Sequence, residues 1–125
     1  MKITPQVYVR GSVDAAEAYC RAFGVQITFQ IRKEDGTYAH CELSMGDRPF
    51  IALSEAPPDC EPVPAYPWRT MAFNVYEMGT EDAVRNAFQV LSEGGTVVTA
   101  VGPCDWSACC ANVIDRFGVF WWIAI

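Results

Sequence analysis

The chain has 125 residues, 51% of them apolar, with nine Lys and Arg against fifteen Asp and Glu and a net charge of −6. That is enough apolar material for one hydrophobic core without help from a metal or disulfides. The basic residues are scattered, which excludes a nucleic-acid backbone or an anionic membrane surface as partner, since both need clustered Lys and Arg. No apolar run approaches the roughly 20 residues of a membrane span. The opening MKITPQVYV lacks the apolar core of an export signal, so a cytoplasmic location is the expectation.

Residues 3–9 are β-rich, and Gly11-Ser12 turns the chain into a helix for which Ser12 is the expected cap. Val13, Ala16, Cys20 and Phe23 recur at helical spacing as its buried face, and Gly24 ends it. Residues 25–32 alternate strictly and predict a strand with Val25, Ile27, Phe29 and Ile31 on one side. After an Asp35-Gly36 turn, residues 38–45 return with Ala39, Cys41, Leu43 and Met45 inward and Tyr38, His40, Glu42 and Ser44 opposite. A fourth strand covers residues 49–54. The order is βαβββ.

Residues 56–69 carry Pro57, Pro58, Pro62, Pro64 and Pro67, which makes a helix or central strand improbable and marks a linker; Tyr66 and Trp68 could cover a cleft. Beyond it the pattern repeats. Val7-Tyr8, Gly11, Asp14 and Ala15 return as Val75-Tyr76, Gly79, Asp82 and Ala83 at an offset of 68, with Thr80 answering Ser12. A strand at 70–76, a helix at 80–92 burying Val84, Ala87, Phe88 and Leu91, and strands at 96–101, 109–114 and 119–125 complete a second βαβββ. The expected organisation is one domain over 1–125, with modules at 1–55 and 70–125 and the linker at 56–69.

Six cysteines invite a zinc or disulfide reading, but Cys104, Cys109 and Cys110 are spaced C-x4-C-C and the other three are isolated. Free, buried or half-buried thiols are expected, with an adventitious metal at Cys104, Cys109 and Cys110 left open.

The sequence resembles the vicinal oxygen chelate superfamily (glyoxalase, bleomycin resistance, extradiol dioxygenase), and within it the PhnB-like proteins. Three motifs in order carry the resemblance: Tyr19-Cys20-Arg21-Ala22-Phe23-Gly24, His40-Cys41-Glu42-Leu43-Ser44-Met45-Gly46-Asp47, and Trp106 through Val113, Asp115 and Phe117-Gly118 to Trp121. The resemblance implies an α+β fold of two βαβββ modules whose mixed sheets curl around a cleft, commonly completed in a homodimer for which the apolar strand at 120–125 is a candidate interface. Where relatives carry Gly-Asp-Arg-aromatic-Gly after the tryptophan, this chain has Ser107-Ala108-Cys109-Cys110-Ala111.

The superfamily's enzymes hold a divalent metal on four cleft-facing strands. The matching positions here are Thr4, Ala52, Thr70 and Trp122, with Gln6 close by, and there is a single histidine; no metal or other cofactor is expected, a divalent ion being the minority alternative. By strand alternation on that fold, Gln6, Tyr8, His40, Glu42, Phe50, Asn74, Phe120 and Trp122 should look into the cleft, and Trp106 joins them as a ligand-binding candidate. The first reading is a metal-free homodimer that binds a small molecule by stacking. The alternatives are an enzyme of the same fold, metal-dependent or using His40 and Glu42 for proton transfer, and a dimerisation module whose cleft Trp122 fills. PhnB-like proteins are sometimes labelled methyltransferases, but the chain has no glycine-rich loop after a first strand to support methyl transfer.

Overall fold

The computed structural model describes residues 1–61 and 64–125, which fall into two compact units, Met1–Pro62 and Val63–Ile125. Unit one contains β1 (Gln6–Val9), α1 (Ser12–Phe23), β2 (Gln26–Arg32), β3 (Tyr38–Met45) and β4 (Arg48–Glu55). Its sheet runs β1-β4-β3-β2, with β1 parallel to β4 and the other pairs antiparallel. Unit two repeats this as β5 (Ala72–Val75), α2 (Glu81–Ser92), β6 (Thr96–Cys104), β7 (Ser107–Ile114) and β8 (Phe120–Ala124), in the sheet order β5-β8-β7-β6 with β5 parallel to β8. The echo in the sequence is an echo in space: Gly11 and Gly79 both take left-handed φ, 81° and 89°, at the strand-to-helix turn.

The two helices begin differently. Thr80 caps α2 as its position suggests, its side chain accepting from the Ala83 N–H at 3.1 Å. Ser12 does not cap α1: the N-cap is Gly11, and the Glu55 carboxylate, arriving from the end of β4, accepts from the N–H groups of Gly11 (3.0 Å) and Ser12 (2.8 Å). The Ser12 hydroxyl accepts from the Tyr38 N–H at 2.9 Å, tying α1 to β3. The buried face of α1 is correspondingly rotated to Ser12, Ala15, Ala16, Ala18, Tyr19 and Ala22, leaving Val13, Cys20 and Phe23 at its margin. Gly24 ends the helix as expected, at φ 68° with its N–H on the Cys20 carbonyl.

Strict alternation fails in β2 and β3 because of bulges. Ile27 pairs with Leu43, but Phe29 pairs with Glu42 and Ile31 with His40, so the extra residue Thr28 moves Phe29 and Ile31 to the sheet face of His40 and Glu42. A second shift between Ile31 and Arg32 turns Tyr38 inward, where it is buried, while Ala39 and Met45 are exposed. A third, in β4 beside Leu43, makes Phe50 the extra residue. As an edge strand, β2 exposes all of its residues.

Residues 56–69 contain no helix or strand among those described; Pro62 of this proline-rich stretch lies outside them. The Arg10 guanidinium fastens its start by donating to the carbonyls of Pro57, Pro58 and Cys60. In unit two, β8 lies between β5 and β7, and Phe120, Trp121, Ile123 and Ala124 are buried there. The apolar character of that strand, which suggested an intersubunit interface, is accounted for by burial within its own sheet. Gly95, after α2, is required for a different reason from the turn glycines: a Cβ would run into the Ile114 carbonyl.

Candidate functional site

In unit one, pairing places Gln6 and Tyr8 on β1 beside Ala52 and Ser54 on β4, and Glu42 on β3 beside Ala52. The Gln6 amide donates to the Ser54 hydroxyl at 3.1 Å, while Tyr8 is largely exposed. His40 Nε2 and Glu42 Oε1 lie 3.2 Å apart with about one third of each side chain exposed (33% and 36%), and the Phe29 ring, carried over by the bulge, is 6.2 Å from the imidazole. Phe50 does not join this group: its ring packs at 5.0 Å on Phe23 at the end of α1.

Unit two gathers aromatics. Trp106, in the β6–β7 turn, is 57% exposed and sits 5.7 Å from Trp122 and 6.0 Å, edge-on, from Tyr76. Tyr76, Trp106 and Ile125 line a recess of about 380 Å³. Asn74 and Asn112 flank Trp122 in register on β5 and β7. Phe120 is buried away from this recess under Trp68, whose ring meets it edge-on at 6.0 Å. Of the residues expected at a cleft, Trp106 lines this recess and Trp122 packs on Trp106; Tyr76, Ile125 and Asn112 were not among those expected. Tyr76 was signalled by the repeat, since it answers Tyr8. Asn112 was signalled by being the one amide in the apolar run 109–114.

The thiols are electrostatically sorted. Burial pushes Cys41 up to about 11, reinforced by the neighbouring Cys20, and pushes Cys110 to about 11 with help from Cys104 and Cys109. Cys109 is likewise raised by burial. Cys104 moves the other way, because the Cys110 thiol and then the backbone N–H groups of Trp106 and Ser107 hydrogen-bond its sulfur.

The donor set does not fit the metal of the superfamily's enzymes. The row across the first sheet reads Gln6, Ala52, Glu42 and the row across the second reads Asn74, Trp122, Asn112, so the strand beside each amide supplies an alanine or a tryptophan. Among the described residues no three His, Cys, Asp or Glu side chains converge to hold an ion. None of the helices described is long and apolar enough to cross a membrane.

Two βαβββ units with these strand orders define the glyoxalase/bleomycin resistance protein/dioxygenase fold, as expected from the sequence. No family model matches the sequence, and no curated protein matches it. Among solved structures, the chain is similar to protein PA1353 from Pseudomonas aeruginosa, with 20% identity, TM-score 0.80, and coverage of 99% of this chain and 96% of that one. It is similar to the PhnB protein from Bacillus cereus at 21% identity and TM-score 0.78, covering 99% and 98%. A glyoxalase/bleomycin resistance protein/dioxygenase family enzyme from Burkholderia phytofirmans PsJN follows at 18% identity and TM-score 0.63, covering 94% and 92%. Likeness at these identities speaks of the fold.

Proposed function

We propose that this is a PhnB-like, glyoxalase-related protein that binds a planar small molecule without a metal, as a cytoplasmic homodimer that sequesters or senses its ligand. The observation that carries the reading is the exposed Trp106 indole, held between Tyr76 and Trp122 at the mouth of a recess. Aromatic side chains are hydrophobic on their faces, and leaving one of this size in water at a concavity favours a stacking partner. The metal-free part of the reading is supported by Ala52 and Trp122, which offer no lone pair where an enzyme of this fold would need one. The homodimer is supported by Ile27, Phe29 and Ile31, apolar and at least 36% exposed on the edge strand β2.

The test is titration of the full chain with naphthalene, followed by tryptophan fluorescence. Saturable quenching in the wild type, lost in Trp106→Ala, is expected; equal quenching in both would remove the recess from the account.

A second reading follows from the His40–Glu42 pair, in which the carboxylate, 3.2 Å from the ring nitrogen, orients the imidazole for proton transfer. It requires turnover of a substrate that His40→Ala abolishes with binding retained, whereas sequestration leaves the bound molecule chemically unchanged.

A further inference from the structure

We propose that the second unit's site selects an uncharged planar ligand carrying a cis-amide edge, a ring N–H beside a ring C=O, and that Asn112 reads that edge. The inference rests on the small-molecule reading above and names the chemistry of the ligand.

Asn112 is fully buried in the middle of β7, and neither its Nδ2 nor its Oδ1 has a hydrogen-bond partner among the described residues. Buried amides are nearly always paired, because desolvating the group without a partner is costly. The same unit shows that it can satisfy such a group: the neighbouring Asp115 carboxylate accepts from the N–H groups of Phe117 and Val119 and from the Trp121 indole. The Asn112 amide is thus a buried donor and acceptor that an incoming edge can serve.

Its place in the sheet says what that is. Asn112 is the register partner of Trp122 on β8, and the Trp122 ring meets Trp106, which meets Tyr76 at the recess. Directly opposed residues on antiparallel strands have Cβ atoms about 5 Å apart, so the half-buried Trp122 indole stands next to the amide and, through its contact with Trp106, next to the recess. A rotamer change of that one side chain joins them. A ring stacked in the recess would then present its edge to Asn112.

The amide fixes the class of that edge. A carboxylate can satisfy only the Nδ2 donor and an ammonium only the Oδ1 acceptor, and a hydrocarbon satisfies neither. A lactam or imide offers an acceptor and a donor side by side and pairs with both atoms in one plane. A ligand lacking the edge leaves the amide unpaired, which is how sites built on hydrogen bonds reject close analogues.

The experiment titrates the full chain with two probes of the same two-ring frame, 1(2H)-isoquinolinone, which has the edge, and naphthalene, which lacks it. The wild type should bind the lactam about tenfold or more tighter. Asn112→Leu should erase that preference, keep naphthalene binding, and melt no lower than the wild type, because the orphaned amide is gone. Equal binding of the two probes by the wild type, a preference that survives in Asn112→Leu, or a variant that melts lower would each overturn the assignment while leaving the aromatic site standing. Binding of neither probe would overturn both this inference and the reading beneath it.

Discussion

The indole N–H of Trp121 donates to Oδ2 of Asp115 at 2.8 Å, while Oδ1 of the same carboxylate accepts from the Phe117 and Val119 N–H groups at 2.9 and 3.0 Å. Three donors on one buried carboxylate lock the turn between β7 and β8 to the core strand that follows it. The end of the late motif, Asp115, Phe117-Gly118 and Trp121, is therefore an element of folding, whereas its start at Trp106 belongs to the candidate site. Asp115→Ala should lose about 2–4 kcal/mol of stability, since it strands buried donors. Urea unfolding monitored by tryptophan fluorescence would show this as a lowered midpoint; an unchanged midpoint would contradict it.

Glu55 couples stability to acid. Burial raises its carboxyl pKa, but the hydrogen bonds from Ser12 and Gly11 outweigh burial and hold it below the ordinary value of 4.5. A carboxylate with a depressed folded pKa contributes stability that is present above the unfolded value and is lost as pH falls through the folded one. Thermal melts should thus show a wild-type decline below about pH 4.5 that is shallower in Glu55→Gln. The variant should also be less stable at neutral pH by about 1 kcal/mol, the usual worth of a helix cap. Parallel pH profiles for the two proteins would refute the coupling.

The cysteines should react in a fixed order. At pH 7.5 a water-soluble maleimide should label Cys104, whose thiolate is favoured by hydrogen bonds, and the exposed Cys60. Cys41, Cys109 and Cys110 are buried with raised pKa values and should resist until the protein unfolds. Peptide mass spectrometry of the labelled protein checks this, and rapid modification of Cys41 would count against the core described.

If β2 supplies the homodimer contact, charging it should separate the subunits. Phe29→Lys and Ile31→Lys fall on exposed positions of the single subunit and should leave each subunit folded. Light scattering is expected to give a dimer mass for the wild type and half that mass for the double variant. A wild-type monomer, or a variant that stays dimeric, would remove β2 from that role.

The repeat at an offset of 68 and the period of each strand made the fold legible, because one supersecondary unit used twice leaves the same residues at the same turns. What stayed hidden depends on contacts distant in sequence. Glu55 caps α1 from 43 residues away, so no local pattern could have displaced Ser12. The bulges at Thr28, Ala39 and Phe50 insert one residue each without a sequence signature, and they exchanged the faces of Phe29, Ile31, Tyr38 and Phe50. For the candidate site, Trp122 followed from strand alternation on the family fold and Trp106 from the late motif, whereas the unpaired state of the Asn112 amide is a property of its surroundings.

The most direct test of metal-free binding is naphthalene titration of the protein after exhaustive dialysis against EDTA, repeated with manganese, nickel or zinc added. The account predicts the same saturable quenching of tryptophan fluorescence in every case. Quenching that appears only when a divalent ion is restored would contradict it.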